Sequence, residues 1–481
     1  MRQLSRWATL ALLTSAGQAA ASGLEIPEQG VRSVARGGAW SAKADDPSAA
    51  IHNPGALVLV DGFDLLYSHN LIWHHATFTR AASVLPPGEG FAGQDPLAPV
   101  ENEEPFFPLG AMFSAAYGFG DWTVGVSAYG PNASGRLKYP VTGGQRYMLT
   151  ELEALMFYTG VSVAWGGETF GVGATVQGAF MPSMRYSLVV DGTPPPATQA
   201  DAAASLSPYS SFWDVEATLA VGDAFAPTAI VGLWWQPHPS VEIGLSGRVL
   251  PVVFAAEGDI ELRNVPGQSE FTPGQLEVTG SAAAVEIPLP ATARFGVRYV
   301  HREGGAEVFD VELDVVWEGW SIVDAYEADL AGRINLAGGA PVQDVTIDKR
   351  WRDTFSVRLG GTAAVVPDFV KLSAGGYFEQ GASHPRYTNL DFLSTDRFGV
   401  GAGFEFALLN DPDGIQLDFI WAFQHVFQAD RTVDETEGKV IQQRPIAQCP
   451  DACGGYTGVV ANAGTFSSSF DQLSIGLNAR F

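Results

Sequence analysis

The chain has 481 residues, with 27 Lys and Arg against 53 Asp and Glu, a net charge of −26. That balance excludes a nucleic-acid binder, which needs a basic face, and 46% hydrophobic content excludes a disordered chain. With 55 Gly, 29 Phe, 13 Tyr, 12 Trp and two Cys, the composition fits a large β protein with many turns and aromatic girdles.

Residues 1–21 read as a secretory signal peptide. Arg2 and Arg6 form a positive start, Trp7 to Ala16 is a short apolar stretch, and Ala19-Ala20-Ala21 supplies small residues at the cleavage site. The cut is expected before Ser22; an ordinary N-terminal helix is the plain alternative. No later apolar run reaches the about 20 residues that a membrane helix needs. Residues 22–60 lack strand alternation and are rich in small residues, with Gly37-Gly38, Ala44-Asp45-Asp46-Pro47 and Asn53-Pro54-Gly55. They are expected to form a compact plug, or hatch, rather than a periplasmic tail.

From residue 61 to 481 the dominant signal is period two. Phe355, Val357, Leu359, Ala363 and Val365 alternate with Thr354, Ser356, Arg358, Gly360 and Thr362. Phe398, Val400, Ala402, Phe404, Phe406 and Leu408 alternate with Arg397, Gly399, Gly401, Gly403 and Glu405. The final stretch, Leu473 to Phe481, repeats the rhythm. About fourteen such windows, many near the 9–11 residues that cross a bilayer as a tilted strand, predict an all-β transmembrane antiparallel β-barrel. Tight turns at Gly118-Phe119-Gly120-Asp121 and Asp411-Pro412-Asp413-Gly414 alternate with long polar segments at 189–210, 256–275, 324–350 and 429–466. These long segments are expected to be outside loops.

One face of each window is almost free of charge, while the other carries Arg294, Arg298, Glu312, Asp314, Arg358, Arg397 and Glu405. A Lys or Arg on the lipid face costs about 2–4 kcal/mol at mid-bilayer, so the charged face must line the lumen. There it forms a salt-bridge network, or Arg294, Arg298 and Arg358 grip an acidic headgroup. A terminal Phe481 on an alternating strand fits an outer-membrane assembly signal. Cys449 and Cys453 have no second pair or nearby His to complete a metal site, so a surface-loop disulfide is the preferred reading.

Other motifs carry less. Gly399-Val400-Gly401-Ala402-Gly403 has no following helix and is not a dinucleotide loop. His69, His74 and His75 lack an acidic frame and sit near one strand end, where packing explains them. No Gly-x-Ser-x-Gly occurs. No enzyme, cofactor or metal is expected, and the partners are a hydrophobic small molecule and outer-membrane lipid.

The mature start resembles the outer-membrane long-chain fatty acid transporters (FadL-type): Gly23-Leu24-Glu25-Ile26-Pro27-Glu28-Gln29-Gly30, Ala35-Arg36-Gly37-Gly38-Ala39, Ala44 to Ala50, then Asn53-Pro54-Gly55. The family usually has Asn-Pro-Ala, so Gly55 is a departure. Gly125 to Pro131 is similar to the family's third-strand segment, with the Pro and Gly order changed. Ile287 to Ala291, Phe295 to Tyr299, Asp310 to Trp320 and Asp353-Thr354-Phe355 also match.

The resemblance implies a fourteen-stranded monomeric barrel with an N-terminal hatch in the bacterial outer membrane. It implies passive uptake of hydrophobic molecules, long-chain fatty acids foremost. Carried over by position, Asn53, Pro54 and Gly55 would brace the hatch, and Gly130 and Pro131 would mark a lateral exit at a kinked third strand. Phe106 and Phe107 are candidates for capture. The competing reading is an adhesion or binding barrel whose acidic loops contact other surfaces.

Overall fold

A computed structural model of the chain describes residues 25–26, 29–82, 95, 97–130, 132–133, 135–192, 214–266, 271–335, 339–411, 414–444 and 460–481. Fourteen strands form one closed antiparallel barrel. They are β1 (Gly62–Arg80), β2 (Phe106–Phe119), β3 (Trp122–Tyr129), β4 (Glu151–Gly167), β5 (Phe170–Asp191) and β6 (Asp214–His238). Four interrupted strands follow: β7 (Val241–Arg248, then Val252–Asn264), β8 (Val278–Leu289, then Thr292–Glu303), β9 (Ala306–Glu318, then Ala325–Ile334) and β10 (Val345–Asp348, then Thr354–Val366). The last four are β11 (Val370–Glu379), β12 (Arg397–Asn410), β13 (Gln416–Val433) and β14 (Gly464–Arg480). The ring closes where β1 pairs with β14, from Asp64 opposite Arg480 to Arg80 opposite Gly464.

Apart from one local gap beyond β3, closure leaves no open edge, so backbone groups are satisfied without water. The alternation sorts side chains as the sequence demands. In β10, Phe355, Val357 and Leu359 are exposed outward at 50%, 49% and 54%, while Ser356 and Arg358 are buried inside. Exposed aromatic residues mark the short-turn end of the wall, among them Tyr117, Trp122, Trp165, Phe170, Trp235 and Phe369. Such rings belong at the membrane–water boundary. Spin labels at Phe355 and Phe404 should therefore report hydrocarbon surroundings in lipid bilayers; aqueous accessibility at both would contradict the register.

The expected long loops need correcting. Segments 256–275, 324–350, 189–210 and 429–466 each contain strand, because β7, β9, β10, β5 and β13 run into them. β6 has 25 residues, which at about 3.3 Å each span about 80 Å. Even strongly tilted, that exceeds the apolar band of about 25 Å, so the wall stands out above the membrane. There the polarity of the two faces reverses. Phe254, Ala256 and Leu262 are buried inward, while Glu257, Asp259 and Glu261 point outward into water.

The interruptions in β7 to β10 fall beside one another at residues 249–251, 290–291, 319–324 and 349–353. Pro251 and Pro290 contribute by lacking an N–H. Trp320 and Trp351 fill the break, edge to face at 5.2 Å between centroids.

Residues 30–60 occupy the lumen as a plug. α1 (Val31–Ala35) ends at Gly37 and Gly38, both with positive φ, where Gly38 N–H bonds Ser33 O at 2.8 Å and Gly37 N–H bonds Val34 O at 3.1 Å. This paired closure needs the left-handed conformation that glycine adopts freely. α2 (Ala49–His52) and a 3-10 turn (Pro54–Leu59) complete it.

The plug rests on wall glycines. A Cβ at Gly375 would lie 2.1 Å from the Arg36 carbonyl oxygen, one at Gly244 2.0 Å from that of Ser41, and one at Gly173 2.2 Å from that of Pro54. Gly360 and Gly401 meet Arg36 and Val34 in the same way.

Candidate functional site

Two features divide the interior, a charged band that holds the plug and an apolar cavity beyond it. All seven charges singled out in the sequence lie on the lumen face. Arg36 of the plug bonds Asp310 at 2.6 Å and Glu312 at 3.0 Å. Glu312 and Asp314 also accept plug backbone N–H groups: Ala42 to Glu312 at 2.6 Å, and Trp40 and Ser41 to Asp314 at 3.0 Å each. Arg298 bonds Glu242 at 2.6 Å and Asp310 at 3.2 Å. Glu379 receives Arg358 at 2.9 Å and Arg397 at 2.7 Å. Glu405 receives Arg32 at 2.5 Å and Lys371 at 2.7 Å. Arg294 shares this interior face, half-buried.

Arg298 and Arg358 are thus matched by wall carboxylates. Removing one partner of a buried pair costs about 3–5 kcal/mol. For Arg36→Met the lower end is expected, because Asp310 keeps Arg298 and Lys43. The loss should appear as a lower unfolding temperature of the barrel band on a heat-modifiability gel.

Asn53 joins plug to wall. Its amide donates to Ser41 O at 2.8 Å and to Leu233 O of β6 at 3.1 Å, while its oxygen accepts from Gly55 N at 3.1 Å. A Cβ on residue 55 would lie 2.7 Å from Leu233 Cα. Gly55 therefore fits this wall where an Ala would not.

Beside it, His52 Nε2 sits 2.7 Å from Gln29 O. Burial, helped by Arg294, holds the imidazole down at about 3. A depressed His pKa contributes stability that is complete above the ordinary value of 6.5 and lost as pH falls toward about 3. Conductance through the barrel should rise as the bath is acidified from about pH 7 to about pH 4, and His52→Gln should reduce that rise.

His74, expected at a strand end, lies well within β1, buried and stacked on Phe470 at 4.0 Å. Pro131, Cys449 and Cys453 lie outside the described residues, as do residues 1–21.

The cavity volume is about 80 Å³. In β5 the plug touches the wall at Gly171 to Thr175, whereas the cavity touches Met181, Met184 and Tyr186, nearer the outer end. Its other sides come from β2, β4, β6, β8, β9, β10 and Phe392 of the connection after β11. The cavity reaches the wall where strand pairing lapses. Among the described residues, β3 pairs with β2 only from Trp122–Phe119 to Tyr129–Met112, and the last bond is Gly130 N–H to Ala111 O at 3.0 Å. Pairing with β4 resumes at Arg136 opposite Glu153. Phe107, Leu109, Gly130, Gly135, Leu155 and Met156 surround this gap. A Cβ at Gly135 would lie 2.4 Å from the Phe107 ring, so that ring sits across the opening. Phe106 instead points outward, 45% exposed. Further along, Glu25–Ile26 pairs as a short antiparallel strand with Asn132–Ala133.

Sequence reasoning reached Gly130 and Phe107 but missed Met181, Met184, Tyr186 and Tyr326. These residues come from two strands, β5 and β9, and form no motif that marks a site.

A plugged outer-membrane β-barrel with an apolar interior cavity defines a class of transport protein rather than an open pore. The family model for outer membrane protein transport proteins (OMPP1/FadL/TodX) matches residues 170–464, and the chain belongs to this family of outer-membrane transporters of hydrophobic compounds.

Solved structures share the fold. A Pseudomonas aeruginosa FadL homologue superposes with a TM-score of 0.72 at 16% identity, covering 96% of this chain and 100% of that one. The Pseudomonas putida toluene transporter TodX gives 0.61 at 14%, covering 95% and 98%. The Ralstonia pickettii toluene transporter TbuX gives 0.60 at 14%, covering 94% and 98%. No curated protein matches the sequence.

Proposed function

We propose that the protein carries lipophilic molecules inward without an energy source, by capture in the cavity and sideways release through the gap between β2 and β3. Residues 1–21 are removed as a signal peptide, and residues 22–60 act as the hatch that closes the axial path. Gly130 and Pro131 keep the gap open, while Asn53, Pro54 and Gly55 fix the hatch to the wall.

The observation that carries this reading is the continuity of the cavity lining with the rim of unpaired wall. A lateral exit keeps an alkyl or aryl body out of water, a saving of about 0.8 kcal/mol per CH₂. The similar structures include a FadL homologue and toluene transporters, so long-chain fatty acids and aromatic hydrocarbons are the substrate classes to compare.

Mass spectrometry of solvent extracts from the purified barrel tests capture. A lipophile should copurify with the full chain and be absent from Ala154→Trp, which fills the cavity from β4. Equal recovery from both proteins would place capture elsewhere.

A further inference from the structure

We infer that the cavity takes an uncharged lipophile bearing one hydrogen-bonding group, which pairs with the Tyr326 hydroxyl, and that it disfavours carboxylates. This rests on the cavity being the capture site.

Two observations carry the inference. No described residue lining the cavity has a charged side chain; aliphatic, methionine and aromatic groups make up its wall. The nearby cation Lys349 lies behind that wall, 5.3 Å from the Tyr326 ring centroid and 5.9 Å from that of Phe392. Asp391 already pairs with it and also accepts a hydrogen bond from Tyr186 at 3.0 Å. A carboxylate in the cavity would be desolvated without a free counter-charge, which strongly opposes burial.

The second observation is a polar group left over. Tyr326 lines the cavity and is 8% exposed, yet its buried hydroxyl has no partner among the described residues. Buried polar groups are nearly always hydrogen-bonded. Tyr186, the other lining tyrosine, is already occupied by Asp391 and by Met148 O at 3.1 Å. One unpartnered hydroxyl on a lining residue of an apolar wall matches a ligand with a single alcohol, phenol, ketone or ester group. Met181 and Met184 add an adaptable surface suited to a ring.

The test uses the full chain in detergent and three probes with one common body: octylbenzene, 4-octylphenol and 4-octylbenzoate, at about pH 8, where the benzoate is ionised and the phenol is not. Affinities come from competition in native mass spectrometry, each corrected for partition into protein-free micelles. The phenol should bind about tenfold or more tightly than the benzoate, and Tyr326→Phe should weaken phenol binding about three- to tenfold without altering octylbenzene. Benzoate binding as tight as phenol, or an unchanged phenol preference in Tyr326→Phe, would overturn the inference while leaving capture intact. Octylbenzene bound equally well by Ala154→Trp would instead overturn capture in this cavity, and the inference with it.

Discussion

A chain lacking residues 22–60 is expected to fold as a barrel and to pass ions in a planar bilayer far more readily than the full chain. A barrel of this strand number encloses more space than its own inward side chains fill, and residues 30–60 supply the missing volume. Folding should survive because Glu312, Asp314 and Asp310 would meet water once Arg36 and the plug N–H groups are gone. The deletion therefore exposes these carboxylates, whereas Arg36→Met leaves them in a dry interior with less compensation. Unchanged conductance in a correctly inserted, heat-modifiable barrel would show that the plug is not the seal.

The second large effect is expected at the gap. Changing Gly130 and Pro131 together to Val should abolish uptake of an alkyl substrate while the barrel remains folded. Val restores an N–H at position 131 and a strand-favouring side chain at both sites. The new Cβ at 130 would sit 3.1 Å from Leu109 O, a contact that a small backbone shift can relieve. Uptake is best measured with a radiolabelled alkane in cells lacking other such transporters. Normal uptake would move the exit away from β3.

The wall was legible in the sequence because lipid imposes one rule on every membrane crossing. Phe355, Val357 and Leu359 had to face outward and Arg358 inward, and the hydrogen-bonded register places them so. The rule fails above the membrane. From Glu257 onward the outward face of β7 is charged while Leu262 faces in, so the same period with opposite polarity resembled a polar loop. Tracking parity through that switch would have recovered the strand.

The cavity was less legible. Met184, Leu219, Ile287 and Tyr326 are inward-facing apolar residues on separate strands, and only the barrel register brings them together. The plug's footprint did leave a signal. Gly244, Gly360, Gly375 and Gly401 sit at lumen-facing positions where a packed wall would otherwise carry side chains. Read across neighbouring strands, such glycines outline a surface on which another backbone lies.

Those contacts also constrain the order of assembly. With backbone seated on backbone and no side chain between, there is little slack for a preformed cylinder to admit a detached insert. The insert precedes β1 in the chain, so it can nestle within the curling sheet before β14 zips onto β1. A synthetic peptide of residues 22–60 added to an already closed, truncated cylinder should therefore fail to dock, whereas mixing the two pieces in denaturant and refolding them together should reunite them.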